Sequence, residues 1–184
     1  MTTFSHQLFS LLLGCLLTMA LHSSSAAFLL LFFSVDPQTF DFATGVAFIL
    51  GANVGTTFSA FFPSIECGRN VRRLALAHFI IKLIGVLITL FFFPSFLFVV
   101  DMLIPGTPTN LNGLFHLAAA HTLFNFINVI FWIFFSVSLV RFLCRIIPSK
   151  EQGTHVLPHT VRLMLAGHVH QTFEEVSKQM ERLE

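Results

Sequence analysis

Residues 42–65, FATGVAFILGANVGTTFSAFFPSI, form a charge-free run whose length suits a membrane crossing. Its centre is not ordinary span sequence. Gly51, Asn53 and Gly55 fall within five residues, which would cost an uninterrupted helix about 2 kcal/mol in propensity. The spacing predicts a helix broken between Gly51 and Thr57. Backbone freed at such a break has to be satisfied by protein, water or a ligand, because hydrocarbon offers no hydrogen bonds. Gly51 and Gly55 also make a GxxxG pair, and taken alone that pair reads as a close helix contact.

Upstream, the apolar run from Phe4 to Phe33 is interrupted by Ser23, Ser24 and Ser25. As one helix it would be about 45 Å long, too long for an upright span, so it is expected to form a hairpin of two half-helices turning at the serines. A cleaved signal peptide is the weaker reading of this run, since no Lys or Arg precedes it. Downstream, Leu74 to Val100 holds a single charge, Lys82, and reads as one transmembrane helix. Gly113 to Val140 reads as another, after a turn-rich loop containing Pro105, Gly106, Pro108, Asn110 and Asn112. Arg69, Arg72 and Arg73 flank one end of this pair, with Arg141, Arg145 and Lys150, while Asp101 lies in the loop between them. The positive-inside rule therefore puts the basic ends and the C-terminus in the cytoplasm.

Composition agrees with an all-α integral membrane protein, with broken or re-entrant helices and two full spans. Of 184 residues, 55% are hydrophobic and 10% charged, and the net charge of +1 gives no field to attract nucleic acid. Cys15, Cys67 and Cys144 lie too far apart for a zinc spacing and read as packing residues. No nucleophile–base constellation or nucleotide loop points to an enzyme. His155 and His159 have helical spacing, but Pro158 between them argues against a metal site.

The two polar breaks carry chemistry suited to ions. Hydroxyls of Ser23, Ser24, Ser25, Thr56 and Thr57 can donate to an oxyanion or accept a cation, and Asn53 can do both. Helix ends meeting at a bilayer midplane are how many secondary transporters hold ions. Sodium, a hard ion, suits such oxygen ligands.

His22-Ser23-Ser24-Ser25-Ala26, followed by Gly51-Ala52-Asn53-Val54-Gly55-Thr56-Thr57, resembles the type II sodium/phosphate cotransporters, whose repeats carry a Gln-Ser-Ser-Ser stretch and a Gly-Ala-Asn-Ile-Gly-Thr-Thr stretch in that order. Arg72-Arg73-Leu74-Ala75-Leu76-Ala77-His78, Leu83-Ile84-Gly85 and Ala120-His121-Thr122-Leu123-Phe124-Asn125 extend the resemblance to residues 10–148. It implies sodium-dependent phosphate transport. The substrate and ion residues would be Ser23, Ser24, Ser25, Asn53, Thr56 and Thr57, supported by His22, Gly51, Gly55, Lys82 and Asn125, with sodium on Ser24, Asn53 and Thr56. It implies no organic cofactor, with sodium as the coupling ion.

The sequence departs from that pattern in three respects. His22 stands for the family's Gln, and Ile81-Lys82 for a Phe followed by Asn. Lys82 either snorkels to the interface beside Arg72 and Arg73 or faces the polar breaks in place of a bound sodium. Finally, the family has two inverted repeats, whereas this sequence shows one. A half-transporter completed by a homodimer or a partner chain is expected; the alternatives are a non-transporting accessory or regulatory subunit and a truncated remnant. His78 and His121, each four residues before a polar neighbour, read as interhelical hydrogen-bonders. Residues 149–184 carry Val161, Leu165, Val169, Phe173, Val176, Met180 and Leu183 at steps of three and four, the mark of an amphipathic helical tail beyond a membrane domain of residues 1–148. The tail resembles the first helix of a phosphate-uptake-regulator-type domain.

Overall fold

The structure is a computed structural model that describes residues 2–34, 41–108 and 110–148. The chain divides into two compact units, Met1–Pro148 and Ser149–Glu184. The second unit, where the expected tail helix and the His155/His159 pair fall, lies outside the described residues.

The first unit is all-helical: α1 (Thr2–Leu21), α2 (Ser24–Ser34), α3 (Phe42–Ser64), α4 (Arg69–Phe91), α5 (Phe93–Leu103) and α6 (Asn110–Ile146). Three of these, α3, α4 and α6, are long and apolar enough to cross a membrane. The centre of the fold is α3. In its apolar window 67% of residues are buried, against 17% in both α4 and α6. Val46, Phe48 and Leu50 of α3 are fully enclosed, and α3 shares the core with Val86, Phe93, Phe96, Val100, Leu117 and Phe124 from the later helices. Phe91, Leu74 and Phe134 point outward instead, where a bilayer would take them up.

The break expected between Gly51 and Thr57 does not occur, because α3 is continuous from Phe42 to Ser64. The reason lies in α1. A Cβ on Gly51 would overlap the carbonyl oxygen of Leu11, one on Gly55 that of Cys15, and one on Gly14 that of Phe48. The glycines let two backbones touch, and that packing offsets the propensity cost. On α1, the buried residues Ser10, Gly14 and Thr18 recur every four positions and form the matching small-residue stripe. Ser10 Oγ donates to the carbonyl of Thr44 at 2.9 Å. The pairings of Ser10 with Thr44, Leu11 with Gly51 and Cys15 with Gly55 advance together along both chains, so α1 and α3 run parallel.

Two parallel helices in sequence need a return path, and α2 supplies it. The turn at His22 and Ser23 sends α2 back along α3, which makes α1–α2 a hairpin that enters and leaves on one side. This is the break at the serines that the sequence led us to expect. His22 sits at φ 52° in the left-handed region and is tied down by a 2.8 Å hydrogen bond between its Nδ1 and Ser59 Oγ on α3. Ser23 then caps α2, its Oγ accepting from the Ala26 N–H at 3.2 Å.

The single helix expected over Leu74–Val100 is in fact two. It parts at Phe92, and α5 starts at Phe93 with Pro94 in its first turn. Proline has no N–H to continue the α4 ladder and is well placed at a helix start, so the helix ends and restarts there.

The charges fall at opposite ends. Arg73 at the start of α4 donates to the carbonyl of Ile147, just past α6, from Nε at 2.9 Å and Nη2 at 2.6 Å. At the other end Asp101 on α5 lies 3.4 Å from His116 on α6, whose ring meets Phe42 of α3 edge to face. Asp41 caps α3 at that same end, accepting from Thr44 N–H at 3.0 Å.

Candidate functional site

Beside the middle of α3, the tip of the α1–α2 hairpin opens onto a cavity of about 320 Å³. Its walls are Ser24, Ser25, Phe28 and Leu29 from α2, Ile49 and Ala52 from α3, and Leu117, Ala118, His121 and Thr122 from α6. Three helices thus bring serine and threonine side chains and an imidazole to one space at the N-terminal end of α2. The positive dipole end of α2 favours an anion there. The volume is far above the roughly 30 Å³ that one water occupies in the liquid.

Behind the cavity lies a polar cluster. Asn53 Nδ2 donates to the Ile49 carbonyl at 3.0 Å and lies 3.5 Å from His121 Nδ1. Asn125 Nδ2 donates to the His121 carbonyl at 2.8 Å. With both amide groups held in this way, both side-chain oxygens face Lys82. Its Nζ donates to Asn53 Oδ1 at 3.2 Å and to Asn125 Oδ1, and sits 5.5 Å from the centre of the Phe124 ring.

Lys82 therefore does not snorkel to Arg72 and Arg73. It lies thirteen residues past the first residue of α4, about 20 Å along the helix, and the nearer oxygens are those of Asn53 and Asn125. His121 bridges α6 to α3, in the interhelical role expected for it. His78 is exposed.

The remaining candidates are placed differently. The hydroxyl of Thr56 donates to the Asn53 carbonyl at 2.8 Å, and that of Thr57, fully buried, to the Val54 carbonyl at 2.6 Å. Both are turned along their own helix and neither lines the cavity. Ser23 is occupied as the cap of α2. Gly51 and Gly55 face α1 and do not line the cavity. Sequence reasoning missed the pairing of Asp101 with the buried His116, although each stood as an isolated polar residue in an apolar run. Among the described residues no group of three His, Cys, Asp or Glu converges to hold a metal.

Comparison with known families bears on what this cavity serves. The model of the Na+/Pi-cotransporter family matches residues 1–104, more than half of the chain. The chain belongs to this family. In this cotransporter-family chain the match takes in the hairpin, α3 and Lys82, while the His121–Asn125 segment lies beyond the matched residues. The chain is also 28% identical over 96 residues to the uncharacterized protein YqeW of Bacillus subtilis (strain 168), an alignment covering 52% of this chain and 31% of that protein. It thus spans about a third of the length of that relative. No solved structure matches. Family and apolar helices together make this an integral membrane protein of a sodium and phosphate transport family.

Proposed function

We propose that this chain is one half of a sodium-dependent phosphate transporter, and that the cavity at the hairpin tip is its share of the substrate site. The observation that carries the reading is the convergence of Ser24, Ser25, His121 and Thr122 on one space at the N-terminal end of α2. Serine hydroxyls and the imidazole are donors, and a tetrahedral oxyanion offers acceptors on every side; the Thr122 hydroxyl donates to the Ala118 carbonyl at 2.9 Å and lines the space without a free proton. Asn53 sits directly behind, linked to the cavity wall through His121. Sodium enters as the coupling ion, and Ser24 offers it an oxygen at the cavity, whereas Asn53 Oδ1 is engaged by the Lys82 ammonium.

One hairpin supplies donors from one direction only. The working unit then contains two copies of the repeat, as a homodimer or with a partner chain of opposite orientation, and each copy contributes one hairpin. The basic ends of α4 and α6, joined through Arg73 and Ile147, are the cytoplasmic side in this reading. The membrane domain covers residues 1–148 and is followed by a cytoplasmic helical tail.

The deciding experiment is radiolabelled phosphate uptake into proteoliposomes with sodium or choline outside, combined with crosslinking. Uptake that requires sodium and resides in crosslinked pairs is expected. Uptake by species that crosslink only as monomers would exclude the half-transporter; a complete lack of phosphate binding would favour an accessory subunit.

A further inference from the structure

Lys82 lies midway along α4, half-buried, and among the described residues no carboxylate lies within ion-pair distance of it. The ammonium is instead met by two neutral carboxamide oxygens and one aromatic face. How those oxygens are aimed is informative. Each Asn could present either its oxygen or its NH₂ group to the cluster, and the choice is fixed by a separate bond. Asn53 Nδ2 is held by the Ile49 carbonyl, and Asn125 Nδ2 by the His121 carbonyl, in each case one helical turn back. Both oxygens are therefore turned to one point by anchors that do not involve Lys82. Two oxygens and a π face pre-aimed at one point suit a single positive charge.

We propose that the Asn53–Asn125 pair is a monovalent-cation site and that Lys82 fills it from within the chain, as a tethered substitute for a sodium ion. The ammonium carries the same single positive charge. Through Asn53 and His121 it adjoins the cavity wall, so a positive charge is present beside the anion without any ion being bound. The consequence, which rests on the proposed transport function, is that phosphate binding needs one sodium fewer than it would with a neutral residue at position 82.

The test uses the full chain in lipid nanodiscs, with Lys82→Asn and Lys82→Ala beside the parent. Equilibrium binding of radioactive sodium is read first, without phosphate and at constant ionic strength. Both variants are expected to bind one sodium per chain more than the parent, and adding Asn125→Leu to either should abolish the gain. Variants that fold only in sodium support the proposal as well. Variants that gain no sodium, or that fail to fold at any sodium concentration, overturn it. Inorganic phosphate binding is then measured against sodium, and the variants should show the steeper dependence. If the extra sodium binds but no form binds phosphate, the cation site stands and the transport reading fails. If phosphate binds with the same sodium dependence in all forms and no sodium is gained, the tethered cation fails and transport stands.

Discussion

The turn at His22–Ser25 and the segment Gly51–Thr57 look alike in sequence, each a short polar interruption in an apolar run, yet the fold uses them oppositely. The first unwinds the chain, caps the next helix with Ser23 and sets Ser24 and Ser25 on the wall of a cavity. The second stays helical, buries its glycines against α1 and returns both threonine hydroxyls to its own carbonyls. Of its polar side chains only Asn53 reaches other helices, at His121 and Lys82. What separates the two is the neighbour. A glycine-rich stretch without a partner would unwind, while one laid against a matching small-residue stripe gains enough dispersion and backbone approach to remain a helix.

The largest effect should come from attacking that packing. Gly51→Leu would drive a side chain into the backbone of Leu11 and is expected to cost about 3 kcal/mol or more, as overpacking with no space to relax does. Thermal unfolding in detergent measures it. A stable Gly51→Leu protein would mean that α1 and α3 are not held as described, and that the Gly51–Thr57 stretch is free to open.

Asn53→Ala comes next. It leaves α3 its helix but takes one fixed oxygen from the Lys82 ammonium, and a hydrogen bond to a charged group is worth about 2 kcal/mol. Sodium-dependent uptake should fall at least tenfold, with membrane insertion unchanged. Near-parental uptake would assign Asn53 to packing and leave Gly51–Thr57 without a polar side chain that acts beyond its own helix.

Ser24→Ala probes the other region. The hydroxyl lines the cavity but the cap of α2 is Ser23, so phosphate affinity should drop about tenfold, or about 1.4 kcal/mol, while the unfolding temperature stays put. A loss of stability without a loss of affinity would mean that the hairpin tip is structural as well.

This contrast also marks what could be read beforehand. The hairpin was legible because its signal is local: a run too long for one span, with serines at its middle. Pro94 gave an equally local sign of the break before α5, and the length of the surrounding apolar run concealed it. The continuity of α3 was not legible from Gly51, Asn53 and Gly55 themselves, since it depends on Ser10, Gly14 and Thr18 some forty residues away. The family motifs pointed to Ser24, Ser25 and Asn53, which do surround or adjoin the cavity, and equally to Thr56 and Thr57, which do not. The direction of Lys82 was open for a similar reason: which oxygens lie nearest is a tertiary fact.

The smallest expected effect is at His22, and its sign separates two contributions. The left-handed backbone costs a residue with a Cβ about 1 kcal/mol, which glycine would not incur. The bond from the ring to Ser59 returns about as much, since a net protein hydrogen bond is worth about 1 kcal/mol. His22→Gly removes both and should leave the unfolding free energy within about 0.5 kcal/mol of the parent, whereas His22→Ala keeps the strain, loses the bond and should be about 1 kcal/mol less stable. If the two variants are equally destabilised, the turn owes nothing to its backbone conformation, and the hairpin is held by packing of α2 on α3 alone. If glycine is clearly more stable than the parent, the imidazole is retained at a cost in stability, and a role at the hairpin tip is the reason to seek for it.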